Sequence, residues 1–214
     1  MKVIILGAAQ HAEVVASMAI ELSSVEIVGF LDDDPAKQGQ RILEIPVLGK
    51  IDQLEKICDD GSVDGVFLGL SARQITLRSK LIKRIKGIGI PQPNFIHRTA
   101  YGASAAEIGE GNFLAPHVVV NHHAQVGDSC AFYSHAAVEH HCRLGDNIYM
   151  GPGSKTTANV SIGSDTYVGV NASFIPHVSV SSFSIIAAGC VVTKSFLEPG
   201  LIAGVPGVIK KKFS

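Results

Sequence analysis

Nine histidines occur in this 214-residue chain, and seven of them lie between residues 117 and 177. An imidazole takes up and releases a proton near neutral pH, so a cluster of histidines is a candidate for general acid–base catalysis or metal binding. Two pairs are adjacent in sequence, His122 with His123 and His140 with His141, and the second pair follows Glu139. What these imidazoles can do depends on the backbone that positions them.

The histidines belong to a segment whose apolar residues recur every six positions. Large apolar side chains occupy fourteen of the fifteen positions taken at this spacing from Ile108 to Val192, with Thr156 as the exception. A helix needs apolar spacing of about 3.6 and a half-buried strand needs spacing of about 2, so neither fits. Glycine also recurs every 18 residues, at Gly109, Gly127, Gly145 and Gly163. The pattern predicts a parallel β-helix with three hexads in each coil.

Residues 18 apart are expected to stack in neighbouring coils, about 4.8 Å from each other. His122 is then placed under His140, and His123 under His141. All seven histidines of this segment occupy the third or fourth place of a hexad, where side chains point outward. The sequence therefore predicts columns of surface histidines and not core histidines.

Residues 1–95 have a different pattern, in which buried strands alternate with helices. Lys2–Leu6, Glu26–Leu31 and Val63–Leu70 are predicted strands, and Gln10–Leu22 is a predicted helix. This order predicts an α/β, Rossmann-like domain over residues 1–95, followed by the β-helix domain over residues 96–214.

Such a sheet binds ligands at the carboxyl ends of its strands, where Gly7, Asp32, Asp33 and Gly69 are expected to converge. The stretch GAAQHA has one glycine where the dinucleotide fingerprint G-x-G-x-x-G has three. A mononucleotide or a nucleotide sugar is therefore a better expected ligand than NAD.

Composition excludes several other classes of function. The balance of 18 basic and 19 acidic residues argues against nucleic acid as the main partner. Cys130, Cys142 and Cys190 occupy small inward places of their hexads, which predicts packing roles in a reducing compartment. The apolar opening VIILG is too short to span a bilayer and lacks the pattern of a signal peptide. We expect a cytoplasmic protein without a membrane partner.

The stretches VIILGAAQHAEVV, LDDD, VEHHC and AGVPG, together with the hexads, resemble one family over nearly the whole chain. It comprises the bacterial sugar acyltransferases that N-acetylate nucleotide-linked 4-amino sugars of the bacillosamine and perosamine type, and the related sialic acid O-acetyltransferases. The resemblance implies a left-handed β-helix that assembles as a homotrimer. It also implies that acetyl-CoA binds between neighbouring helices, so that active sites lie between subunits, and that the N-terminal domain holds the nucleotide sugar.

The resemblance also implies roles for individual residues. His140 in VEHHC would be the general base, with Glu139 and His141 beside it as possible assistants; the family usually has an acidic residue at the position of His141. No metal is expected. The coenzyme would contact Val170, Ala188 and Tyr149, the last of which replaces a family histidine. The nucleotide sugar would contact Ala9, Gln10, His11, Asp32, Asp33 and Gly69.

The same residues leave two alternatives open. An amine or a hydroxyl that attacks a thioester must lose a proton to a base, so O-acetylation of sialic acid or another sugar remains a candidate beside N-acetylation. The spacing His117-x4-His122, repeated in His135-x4-His140, would also suit a zinc enzyme of the γ-carbonic anhydrase type, which needs three protein nitrogens.

Overall fold

The computed structural model describes residues 1–22 and 25–213. The chain folds into two compact units, Met1–Phe95 and the residues from Ile96 onward. Among the described residues, no helix is long and apolar enough to cross a membrane.

The first unit is an α/β fold around a five-stranded sheet. The sheet order is β3-β4-β2-β1-β5, and all neighbours are parallel except β3 and β4. The predicted Rossmann-like character is confirmed. In chain order the elements are β1 Lys2–Leu6, α1 Gln10–Leu22, β2 Glu26–Leu31, β3 Arg41–Ile42, β4 Ile45–Gly49, α2 Leu54–Asp59, β5 Gly65–Leu68 and α3 Ile75–Ile88, with short 3-10 turns at Pro35–Lys37, Ile51–Gln53 and Ala72–Gln74.

The central strands are apolar on both faces because the sheet is covered on both sides. Val3 to Leu6 of β1 are completely buried. One glycine allows α1 to approach the sheet closely: a Cβ on Gly69 would lie 2.6 Å from Cγ2 of Ile5 and 2.9 Å from Cβ of Ala12. This close approach fixes the start of α1 beside the carboxyl ends of β1 and β5.

The second unit is a parallel β-helix with three faces, built from two-residue strands. The first face contains β7 Tyr101–Gly102, β10 Val119–Val120, β13 Ala137–Val138, β18 Ser173–Phe174 and β21 Val191–Val192, linked by bridges at Lys155. The second contains β8 Glu107–Ile108, β11 Gln125–Val126, β14 Arg143–Leu144, β16 Ser161–Ile162 and β19 Ser179–Val180. The third contains β6 Phe95–Ile96, β9 Phe113–Leu114, β12 Ala131–Phe132, β15 Tyr149–Met150, β17 Tyr167–Val168, β20 Ile185–Ile186, β22 Gly200–Ala203 and β23 Val208–Lys212.

Paired residues of neighbouring coils are 18 positions apart, as in Val119 with Ala137 and Gln125 with Arg143. The predicted coil length is confirmed. The residues at the six-residue period point inward, and Phe132, Val138 and Phe174 are almost fully buried.

Each coil turns three corners, and most turns contain one residue with positive φ. At the first corner, between the first and second faces, these residues are His123, His141, Asn159 and His177. At the third corner, between the third and first faces, they are His117, His135, Gly153, Asn171 and Gly189. The non-glycine residues of these two corners have φ between 54° and 64°. Asn and His tolerate this left-handed conformation better than most residues, which explains part of the histidine pattern.

The last coil is covered on all three faces by the chain that follows it. On the third face β22 pairs with β20 and then with the antiparallel β23. On the first face the N–H of Val191 donates to Gly204 O, and its carbonyl accepts from the N–H of Gly207. On the second face the N–H of Ser181 donates to the carbonyl of Phe196.

Candidate active site

The candidate catalytic residues lie at the first corner, in the turn from β13 to β14. Backbone hydrogen bonds between coils hold this turn: the N–H of His141 donates to His122 O, and the carbonyl of His140 accepts from the N–H of Asn159, each at 3.2 Å. Both histidine side chains are exposed. The predicted stacking of His123 under His141 is present, with ring centroids 4.9 Å apart.

His140 and His141 contact each other through their rings. The two Nδ1 atoms are 3.0 Å apart and the ring planes are perpendicular. One of these nitrogens must carry the shared hydrogen, because two bare lone pairs at this distance repel. If His140 is the donor, its Nε2 carries a lone pair and is able to accept a proton.

Glu139 is directed away from His140, towards the coil below. Its Oε2 accepts a hydrogen bond of 2.8 Å from Nδ2 of Asn121, and its backbone N–H donates to Oγ1 of Thr156 at 3.1 Å. Oδ1 of Asn121 accepts from the backbone N–H of His122 at 2.8 Å and lies 3.0 Å from the Nδ1 of that histidine. The carboxylate therefore connects through the Asn121 amide to His122. Asn121 is not among the site residues predicted from the sequence.

An open depression of about 480 Å³ adjoins this corner on the second face. His123 and His141 line it at the corner, and Glu107, Gln125 and Arg143 line it on the strands of the second face. It therefore presents a carboxylate, an amide and a guanidinium group next to His141. Within residues 1–22 and 25–213, no three His, Cys, Asp or Glu side chains are placed to share a metal ion.

The residues expected to contact the coenzyme lie elsewhere on the β-helix. Val170 and Ala188 occupy equivalent positions in successive coils at the third corner, and both are exposed. Tyr149 is on the third face, stacked on Tyr167 with centroids 4.8 Å apart and planes 6° from parallel. Burial, followed by the neighbouring tyrosines, raises the pKa of Tyr149 above its ordinary value. It is therefore a neutral hydrogen-bond donor over the physiological range.

In the first unit, the residues after β1 divide into exposed and buried ones. Ala9 and Gln10 are exposed at the start of α1, whereas His11 is only 9% exposed. Burial, together with the positive charge of Arg78, lowers the pKa of His11 to about 4. His11 is therefore a neutral interior residue at neutral pH. Gly69 is buried as well, against Ala12 of α1.

The two aspartates after β2 also differ in their surroundings. Oδ2 of Asp32 accepts from the N–H of Ala8 at 2.7 Å and from Nζ of Lys37 at 3.0 Å. Partial burial opposes its ionisation, but the hydrogen bonds from Asp34, Lys37 and Ala8 outweigh that effect and lower the pKa of Asp32. Asp33 is exposed, and its Oδ1 accepts from the N–H of Ile51 at 2.9 Å. Asp32 thus ties the end of β2 to the loop after β1.

Comparison with known proteins gives a consistent result. Residues 2–85 match the PglD N-terminal domain family. A search of curated protein sequences gives no match. Among solved structures, PerB from Caulobacter crescentus in complex with CoA and GDP-perosamine is 31% identical over 98% of this chain and 97% of that one, with a TM-score of 0.88.

Two further structures share the fold over nearly their whole length. The acetyltransferase domain of PglB from Neisseria gonorrhoeae is 25% identical, covers 97% of this chain and 98% of its own, and has a TM-score of 0.88. WeeI from Acinetobacter baumannii is 22% identical, covers 98% and 100%, and has a TM-score of 0.85. With its PglD-type N-terminal domain and its hexapeptide coils, the chain belongs to the bacterial sugar acyltransferases of the left-handed β-helix type.

Proposed function

We propose that this protein transfers the acetyl group of acetyl-CoA to the amino group of a nucleotide-activated 4-amino-deoxy sugar. Its class, an acetyl-CoA-dependent sugar acetyltransferase, follows from the family. The choice of an amine acceptor is supported by two C. crescentus relatives, which are perosamine N-acetyltransferases with CoA and GDP-perosamine bound. Both carry a substituted histidine.

The observation that carries the mechanism is the contact between His140 and His141. The two Nδ1 atoms are 3.0 Å apart, and we assign the shared hydrogen to His140, which leaves Nε2 of His140 as the proton acceptor. The sugar nitrogen attacks the thioester carbon and loses a proton to that Nε2. As the carbon–sulfur bond breaks, the imidazolium returns the proton to the sulfur and releases CoA as the thiol. Nitrogen–carbon bond formation and carbon–sulfur cleavage balance without a covalent enzyme intermediate.

In this mechanism His141 is a positioning residue. It replaces the acidic residue that the family usually has at this position, and it accepts a hydrogen bond from His140 only in its neutral form. The carboxylate of Glu139 accepts a hydrogen bond from Asn121, so Glu139 acts on the first corner through the Asn121 amide.

The proposed active site requires two copies of the chain. Within one β-helix His140 is at the first corner, whereas Val170 and Ala188 are at the third, on a different edge of the triangular coil. A neighbouring subunit can bring its third corner to the first corner of its partner, and closed rings of such contacts are a common assembly. The exposed apolar side chains of Ile175, next to the first corner, and Val170, at the third, are suited to such an interface. We therefore propose a homotrimer with active sites between subunits.

The first unit is proposed to hold the nucleotide sugar at the carboxyl ends of β1 and β2. Ala9, Gln10 and Asp33 are the exposed candidates there. Asp32, His11 and Gly69 have interior contacts, so their proposed contribution is to shape the loops that meet the ligand.

The activity is tested by thiol release from acetyl-CoA with UDP-, GDP- and TDP-linked 4-amino sugars, and with free and CMP-linked sialic acid. A nucleotide amino sugar is expected to be the best acceptor, and His140→Ala should lower turnover by ~10² to 10⁴ while coenzyme binding is kept. His177→Asn, a surface histidine of the same corner two coils on, is the matched control.

Near-normal turnover of His140→Ala would refute the mechanism. Preference for sialic acid would favour O-acetylation, and one zinc per chain by elemental analysis would favour a hydratase.

Sharing of active sites is tested by mixing two inactive variants, His140→Ala and Val170→Glu, by joint refolding. If each site takes its histidine from one subunit and its coenzyme contacts from the next, random trimers recover about a quarter of wild-type activity. A site contained in one subunit would recover nothing. Light scattering of the wild type should give the mass of a trimer, and a monomer would contradict the shared site.

A further inference from the structure

His122 is held in one defined state by a hydrogen-bond chain that starts at Glu139. The carboxylate of Glu139 can only accept, so it fixes the amide of Asn121 with Nδ2 towards Glu139 and Oδ1 towards His122. The backbone N–H of His122 also donates to that Oδ1, which supports the same amide orientation. Because Oδ1 is an acceptor, Nδ1 of His122, at 3.0 Å, must carry a hydrogen.

A hydrogen on Nδ1 leaves Nε2 of neutral His122 with its lone pair available. The side chain is exposed, so this lone pair is accessible from solvent. His122 occupies the position of His140 one coil below, and the carbonyl of His122 bonds to the N–H that follows His140. With the shared hydrogen on Nδ1 of His140, as in the proposed mechanism, the first corner presents two imidazoles in successive coils, each with Nε2 available as a base.

Acylation of an amine that binds as its ammonium ion takes two protons from the nitrogen. A sugar amine enters largely as the ammonium ion at neutral pH, since amines flanked by electron-withdrawing groups titrate near the α-amino range of about 8. The ammonium must lose one proton to become a nucleophile, and the nitrogen loses a second as the amide forms. The second proton leaves with the CoA thiol through His140, so the first requires a separate acceptor.

We propose that His122 is a second catalytic base, which takes the first proton from the ammonium of the acceptor sugar, and that Asn121 and Glu139 position it. The inference rests on the proposed N-acetyltransferase function. The step converts R–NH₃⁺ and neutral imidazole into R–NH₂ and imidazolium, and His122 then passes the proton to water. Other ionisable groups at this corner include His123, whose ring centroid is 6.5 Å away, Glu139, the pair His140 and His141, and His177 further along the coil stack.

The proposal is tested with His122→Gln, whose amide cannot take up a proton, by measuring kcat/KM against pH with a nucleotide 4-amino sugar. At about pH 6.5 we expect a loss of ~10- to 30-fold, because about one in 30 amines is then uncharged, and the loss falls to within ~3-fold at about pH 9, where the free amine is abundant. His140→Ala should stay impaired at both pH values, because its proton leaves after attack. His177→Asn, which should match the wild type throughout, is the control.

The positioning chain is tested by a reciprocal exchange. Glu139→Gln should lower kcat/KM ~3- to 10-fold at about pH 6.5, and the double variant Asn121→Asp with Glu139→Gln should restore it, because the carboxylate then accepts directly from Nδ1–H of His122. Circular dichroism and light scattering verify that each variant is folded and assembled as the wild type is.

Three outcomes would overturn the proposal: no loss in His122→Gln, a loss that is equal at both pH values, or a double variant no more active than Glu139→Gln. Failure of the proposed function itself is distinguishable from these. It would appear as absence of acetyl transfer to amino sugars by the wild type, or as an active His140→Ala.

Discussion

The neutral, buried His11 predicts a specific dependence of stability on pH. Its pKa falls from 6.5 to about 4 on folding, so the unfolded chain binds the proton more tightly than the folded chain does. Stability from this residue is fully present above about pH 6.5, declines as the pH falls through that value, and is lost by about pH 4. A difference of about 2.5 pKa units at about 1.36 kcal/mol each corresponds to about 3 kcal/mol.

The assay is urea unfolding of the wild type and of His11→Gln between about pH 7.5 and pH 4. The described α-helices all lie in the first unit, so the helical circular dichroism signal reports the unit that contains His11. Gln has a similar size and does not titrate. Any packing defect that the substitution causes is therefore the same at every pH. The change of the free energy of unfolding with pH then isolates the proton.

We expect the wild type to lose about 3 kcal/mol more than His11→Gln over this range, with the difference accumulating below about pH 6.5. Other groups, including Asp32 with its lowered pKa, contribute equally to both proteins. Parallel pH profiles for the two proteins would show that the folded chain accommodates a charged His11. A direct NMR titration of the imidazole that gives an ordinary pKa would refute the reasoning independently.

Further predictions concern packing and hydrogen bonding inside each of the two units. Gly127→Ala should destabilise the β-helix by about 1–3 kcal/mol in urea unfolding, because a Cβ there would lie 2.7 Å from the carbonyl carbon of Gly145. In contrast, Gly87→Ala, in α3 with nothing within 4 Å of the new Cβ, should stabilise the first unit by about 0.5–1 kcal/mol. Asp32→Ala should destabilise that unit by about 1–3 kcal/mol at neutral pH, since it removes the acceptor of the Ala8 N–H and of Lys37. A matched urea titration at about pH 7 measures all three.

The β-helix was predictable because one period determines its geometry. Once the six-residue and 18-residue repeats are recognised, they place Gln125 beside Arg143 and His123 beside His141, and the structure has both neighbours. The same period places Asn121 18 residues before Glu139, so their hydrogen bond was accessible from the sequence. The spacing of the histidines alone does not reveal it.

Other features of the structure leave no repeating pattern in the sequence. The strands β3 and β4 are joined by Leu43 and Glu44, both with positive φ. Such two-residue turns usually contain Asn or Gly, so the hairpin has no recognisable sequence signal. Asp32 and Asp33 look equivalent in the sequence, yet only the first has both its oxygens committed to neighbouring groups.

The cover over the last coil has a consequence for solubility. A stack of parallel strands ends in unpaired N–H and C=O groups, and such an edge is a template for another chain to add strands indefinitely. Here the outermost strand, β23, runs antiparallel and carries Lys210, Lys211 and Lys212, all three of them exposed. A second β-helix that docked on this end would meet the wrong strand direction and a row of like charges. The end of the coil stack therefore acts as a barrier to fibre growth.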